Sequence, residues 1–125
     1  MKKYLIATSL TLLALITTPV LAQADKSATP PAKFDASGKI KCSAAKPTLD
    51  QQCEFRVARH LASGSAQIWV APVGNAPAQV LHYTNKQFTG ADGTALSATR
   101  QDDNWQVSVG GKAFYFIPDA VIHGG

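Results

Sequence analysis

The strongest constraint on this chain is a two-residue alternation of apolar and polar side chains, clearest in Cys53-Glu54-Phe55-Arg56-Val57. Successive side chains of an extended strand point to opposite faces. Cys53, Phe55 and Val57 therefore share a buried face, and Glu54 and Arg56 a wet one. The same period returns in Lys39-Ile40-Lys41-Cys42 and in Trp105-Gln106-Val107-Ser108-Val109. Turn-forming residues punctuate these runs at intervals of roughly 8 to 12 positions, and no stretch carries a convincing amphipathic helical period.

Strands are predicted near 39–42, 53–57, 66–71, 80–84, 96–100, 105–109 and 113–117, with Phe88 extending the fourth or opening a short one of its own. Pro72 and Pro118 end strands because proline cannot donate to a ladder. Gly74-Asn75 supplies a turn. Gly110-Gly111 reads as a primed two-residue hairpin, where both positions demand positive φ. The predicted fold is all-β: a single small antiparallel meander, sandwich or barrel of about seven strands with one disulfide. Its sheet must curl or be covered, because Phe55, Trp69, Trp105 and Phe116 cannot all be buried on one flat layer.

Ahead of the alternating region, residues 1–22 have the parts of a secretory signal peptide: Lys2 and Lys3, an apolar run over 5–16, and the small-residue exit Val20-Leu21-Ala22. Cleavage is expected after Ala22, with Ala24 as the second position. Thr8, Ser9, Thr11, Thr17, Thr18 and Pro19 interrupt the run, which argues against a retained membrane span. No cysteine stands at the exit to take a lipid, so no stable membrane anchor is expected. The expected organisation is a signal peptide over 1–22, a disordered linker over 23–33 and one all-β domain over 34–125, in a periplasmic or secreted protein of a Gram-negative cell.

Removing Lys2 and Lys3 lowers the formal charge from +4 to +2. That is too small to argue for nucleic acid or an anionic membrane. Five of the remaining lysines precede residue 47, and among these Lys39 and Lys41, with Arg56, are the candidate binding cations. The two cysteines, Cys42 and Cys53, lie in the exported part and are expected to pair, since their spacing matches neither a Cys-x-x-Cys redox motif nor a zinc motif with His60.

Cys53-Glu54-Phe55-Arg56-Val57-Ala58-Arg59, the opening Phe34-Asp35-Ala36-Ser37-Gly38 and the ending Ile117-Pro118-Asp119-Ala120-Val121-Ile122-His123-Gly124-Gly125 resemble a set of small exported bacterial proteins of uncharacterised function. The likeness runs from Phe34 to Gly125 and implies export and a shared fold, with no activity attached. Val73-Gly74-Asn75-Ala76-Pro77 departs from it at the central hairpin.

No nucleophile elbow marks Ser63 or Ser65. Ser63, His60, His82, His123, Asp102 and Asp119 are scattered rather than arranged at motif spacing, so no catalytic, metal or cofactor site is expected. Asp102-Asp103 before Asn104 reads as a turn, and Gly90-Ala91-Asp92-Gly93 as a hairpin connection rather than a phosphate cradle. Arg59 falls on the inner face of its strand, where a guanidinium needs partners. Asp119 is the expected one, as a fold-closing ion pair. The functional expectation is a non-enzymatic protein binding another envelope macromolecule as an accessory, inhibitor or immunity-type factor. Ser63-Gly64-Ser65-Ala66-Gln67 resembles the Ser-Gly loop of periplasmic lysozyme inhibitors, without the aromatic expected at Gln67. The alternative is a binder of a small or polyanionic envelope ligand, with a hydrolase as the residual class.

Overall fold

β-Branched and aromatic residues placed every second position cannot form a helix with one apolar stripe, but they form strands with one dry face. In the computed structural model, which describes residues 28–124, this yields β1 (Ala36–Ala44), β2 (Gln51–His60), β3 (Ser65–Val70), β4 (Gln79–Thr84), β5 (Gln87–Thr89), β6 (Ser97–Gln101), β7 (Asn104–Val109) and β8 (Ala113–Pro118). One short helix, α1 (Asp119–His123), follows directly. The expected signal peptide over 1–22 and its cleavage site lie outside the described residues.

All strands join one antiparallel sheet in the order β5-β4-β3-β2-β1-β8-β7-β6. Consecutive strands are paired except β5 and β6, which form the two edges, and the pairing of Cys42, Ser43 and Ala44 with Tyr115, Phe114 and Ala113 joins the first strand to the last. The sheet curls into a nearly closed barrel. Its seam lies between β5 and β6, linked by the bridge Thr89↔Ala95 and the bond from Leu96 N to Phe88 O at 3.0 Å.

The alternation decides what fills the barrel. Val57, Ile68, Val70, Leu81, Val107, Tyr115 and Ile117 are fully buried, with Phe55, Phe88 and Trp105 close to it. Removing a large aliphatic side chain from water contributes roughly 1.5 to 3 kcal/mol, so this layer dominates the stability. α1 packs against β2, β3 and β8 and turns Val121 and Ile122 into one end of the barrel.

The disulfide Cys42–Cys53 forms as expected, with Cα atoms 6.0 Å apart. Cys53 pairs with Ile40 in the ladder, so the bridge runs diagonally on the inner face. Beside it, the buried Ser43 organises the β1–β2 loop: its Oγ donates to Lys46 O at 2.6 Å and accepts from Leu49 N at 3.0 Å.

Of the two places open to Phe88, it takes the second, a short strand of its own, which makes eight. Two expectations are corrected. The Gly110-Gly111 connection holds three residues rather than two, because Val109 pairs with Ala113 while both glycines take positive φ of 60° and 70°. Trp69 pairs with Arg56 on the outer face, so its burial does not come from the barrel interior. Instead, the described part of the expected linker, 28–33, runs past it: Trp69 Nε1 donates to Ala28 O at 2.8 Å.

Candidate functional site

At the barrel end closed by α1, four elements meet. β4 carries Tyr83 next to its last residue, Thr84, and passes through a tight turn, where Asn85 and Lys86 have φ of 52° and 62°, into β5. Opposite, β6 carries Arg100 and β7 carries Trp105, a directly facing pair. α1 adds Asp119 at its start and His123 at its end. Together Tyr83, Lys86, Arg100, Trp105, Asp119 and His123 line an open depression of about 280 Å³.

Its floor is aromatic. Tyr83, Phe88 and Trp105 meet one another at steep angles, with ring centroids 5.1 Å (Tyr83–Phe88), 6.1 Å (Tyr83–Trp105) and 5.5 Å (Phe88–Trp105) apart. Edge-to-face contact places the positive ring edge on the negative face of its neighbour. His123 stands edge-on to Tyr83 at 5.7 Å.

Across this floor lies one fixed charge pair. Arg100 Nη1 and Nη2 donate to Asp119 Oδ1 and Oδ2, each at 2.6 Å, and the guanidinium sits 4.9 Å from the Trp105 ring centre. A bidentate fork resting on an indole face is more rigid than an ordinary surface pair. The hydrogen bonds from Arg100 hold the Asp119 carboxyl below its usual range, with smaller help from the charges of Arg100 and His123 and from Trp105, against some desolvation. Trp105 Nε1 has no well-aligned hydrogen-bond partner among the described residues, so its contribution to Asp119 is a weak one. Burial pushes the Tyr83 phenol up, and the charge of Asp119 adds to that shift while Arg100 opposes it.

The expected Arg59–Asp119 ion pair is absent from this arrangement. Arg59 Nε donates to Val121 O at 3.1 Å and Nη2 to Ala120 O at 3.2 Å, so it binds the carbonyls of α1. Asp119, the first residue of that helix, pairs instead with Arg100 of β6. The inner position expected for Arg59 does need partners, and backbone carbonyls supply them.

Of the candidate cations, Lys39 and Lys41 lie exposed on the outer face of β1, and Arg56 faces the same side from β2. Arg56 is already engaged: its guanidinium lies 5.1 Å from the Phe34 ring centre and 5.8 Å from that of Trp69, with Glu54 Oε2 3.4 Å from Nη2. Glu54 also faces Lys39 across the ladder, which dilutes the positive patch. Lys41 Nζ stands 5.8 Å from the Phe116 ring centre.

The expected serine and histidine candidates do not converge. Ser63 Oγ donates to the His60 carbonyl at 3.1 Å and lies 2.8 Å from Ser65 Oγ, while His82 faces outward from β4 opposite Gln67. Among the described residues no three His, Cys, Asp or Glu side chains gather as a metal site, and no helix is long and apolar enough to cross a membrane.

Sequence reasoning did not find the Tyr83, Lys86, Arg100 and Trp105 grouping. These residues sit on three strands and a turn, and only curling of the sheet brings them together. Comparison of the chain with protein-family models, with curated proteins and with solved structures finds no match.

Proposed function

We propose that this is a small non-enzymatic protein of the bacterial envelope, exported and processed near Ala22, that binds another envelope macromolecule through the barrel end where Arg100 and Asp119 lie over Trp105. The supporting observation is the fixed polar cluster over an aromatic floor, set on a barrel whose interior is filled by its own side chains. A filled barrel directs recognition to its surface, and a rigid aromatic and arginine patch loses little entropy when a partner docks.

A photo-crosslinking residue placed at Lys86 in the exported protein tests this, with Lys112 at the opposite end of the barrel as control. A discrete adduct from position 86 and none from 112 is the expected result. Equal labelling from both positions, or none from 86, rejects the reading.

A second reading, binding of a small or polyanionic envelope ligand, draws on Lys39, Lys41 and Arg56 sharing one outer face. It predicts an affinity that falls steeply with salt, whereas the first predicts a weak salt dependence.

A further inference from the structure

β6 is longer than the strand it faces across the seam. The β4–β5 hairpin turns at Asn85-Lys86, and β5 begins only at Gln87, while β6 continues to Gln101. The last bonded contact across the seam is Leu96 N to Phe88 O. Beyond it, β6 forms no backbone bond with the β4–β5 hairpin among the described residues.

The hydrogen-bonding phase of β6 follows from its hairpin with β7. Gln101 pairs with Asn104 across the two-residue turn Asp102-Asp103, so these two exchange backbone bonds, and the bonded pairs then alternate: Thr99 with Gln106, Ser97 with Ser108. The far side of β7 agrees. Asn104 faces Pro118 of β8, and proline has no N–H to give, so Asn104 must direct its own groups toward β6. Ala98 and Arg100 therefore turn their N–H and C=O groups away from β7, into the seam.

Side chains beside this edge define what fits it. Lys86, Phe88, Leu96, Ala98 and Trp105 wall an adjoining hollow of about 250 Å³. Arg100 is neutralised by Asp119, but Lys86, which borders both depressions, takes part in neither of the salt bridges among the described residues. The edge thus offers two outward-facing backbone positions, an apolar wall and one uncompensated ammonium.

We propose that β6 is a docking edge for an extended segment of a partner protein, which adds to the sheet beside Ala98 and Arg100, sets an apolar side chain against Phe88 and Trp105, and brings a carboxylate to Lys86. The carboxylate comes from an acidic side chain or from the C-terminus of the segment. Main-chain bonds supply affinity in such strand addition, and alternate side chains supply selectivity. The proposal rests on the barrel mouth being the recognition surface and specifies how that surface works.

The test selects a displayed library of short random peptides on the processed, disulfide-bonded protein and measures the enriched peptides by calorimetry. Peptides with apolar residues at alternate positions and one acidic group are expected. Ala98→Pro removes an N–H directed at the guest while leaving the β6–β7 bonds intact, and should weaken binding about ten-fold. N-methylation of the facing peptide amide should do the same without altering the protein, which controls for misfolding of the variant. Lys86→Glu should cost about three-fold and reduce the salt dependence, and an amidated peptide terminus separates a chain-end carboxylate from a side-chain one. Failure to enrich any alternating peptide overturns the proposal, as does affinity indifferent to both Ala98→Pro and N-methylation. A concentration-dependent dimer abolished by Ala98→Pro also overturns it, in favour of β6 pairing between copies. A crosslink from position 86 that survives Ala98→Pro discards strand addition but keeps the recognition surface; no crosslink at all rejects the surface itself.

Discussion

Tyr115 is wholly buried, and its hydroxyl meets no partner among the described residues. A buried hydroxyl without a hydrogen bond keeps its desolvation cost, so Tyr115→Phe is expected to stabilise the fold by roughly 1 kcal/mol. Burial also pushes the phenol up to about 12. In the unfolded chain it ionises near its ordinary value of about 10. The contribution of the protonated phenol is thus intact below about pH 10 and is lost as pH rises toward 12, a loss on the order of a few kcal/mol. Urea unfolding from neutral to strongly alkaline pH should show this decline in the native protein and a flatter limb in the phenylalanine variant. Asp119 works in the opposite sense: Arg100 depresses its pKa, so its stabilisation is present above the ordinary aspartate range and disappears as pH falls through the lowered value. The Asp119 and Arg100 side chains keep 31% and 41% of their exposure, so solvent screening keeps this term small. Melting curves of Asp119→Asn and the native protein should differ modestly at neutral pH and converge in acid.

Two elements show where local patterning is legible and where it is not. β2 is readable outright, because Cys53, Phe55 and Val57 are buried while Glu54 stays exposed, in register with the alternation. β5 is not, since three residues with one buried side chain give no period, and its boundaries come from the Asn85-Lys86 turn, whose left-handed backbone no glycine announces. α1 escapes notice for a similar reason: five residues are too few for a helical stripe, and the helix persists because Val121 and Ile122 enter the barrel and Arg59 ties down its carbonyls. The choice of Asp119 as partner of Arg59 relied on the two residues belonging to distinctive motifs, which carries no geometric content. Arg59→Met, which keeps much of the apolar stem and removes both bonds, is expected to cost roughly 1.5 to 3 kcal/mol. Hydrogen exchange should localise the effect, with the Gly124 amide, bonded to Ala120 O at 2.9 Å, accelerating while the β2–β3 ladder stays protected.

Joining the two halves of the sheet depends on a β1–β8 junction of three residue pairs, no longer than the β4–β5 ladder, in a molecule otherwise built from neighbouring hairpins. Sequence order predicts the hairpins, because consecutive strands tend to be adjacent. It does not predict that β1 meets β8, or that β5 and β6 stop short of full pairing, because both follow from how far the sheet curls. Cys42 is part of that junction, facing Tyr115, while its sulfur is bound to Cys53 of β2. The disulfide therefore fixes the strand on which closure depends, with a sequence separation of 11 residues between its cysteines. Replacing both cysteines by alanine should cost roughly 2 to 3 kcal/mol through the freed unfolded chain. Entropy of the unfolded state acts on the whole molecule, so on that account alone every slowly exchanging amide would lose protection equally. The position of the bridge adds a local effect: amides of 113–115 and 42–44 should lose more protection than those of the β2–β3–β4 ladder, by sub-global opening at the junction. Uniform loss across the barrel would show that the crosslink acts on the unfolded chain only and has no special part in closing the sheet.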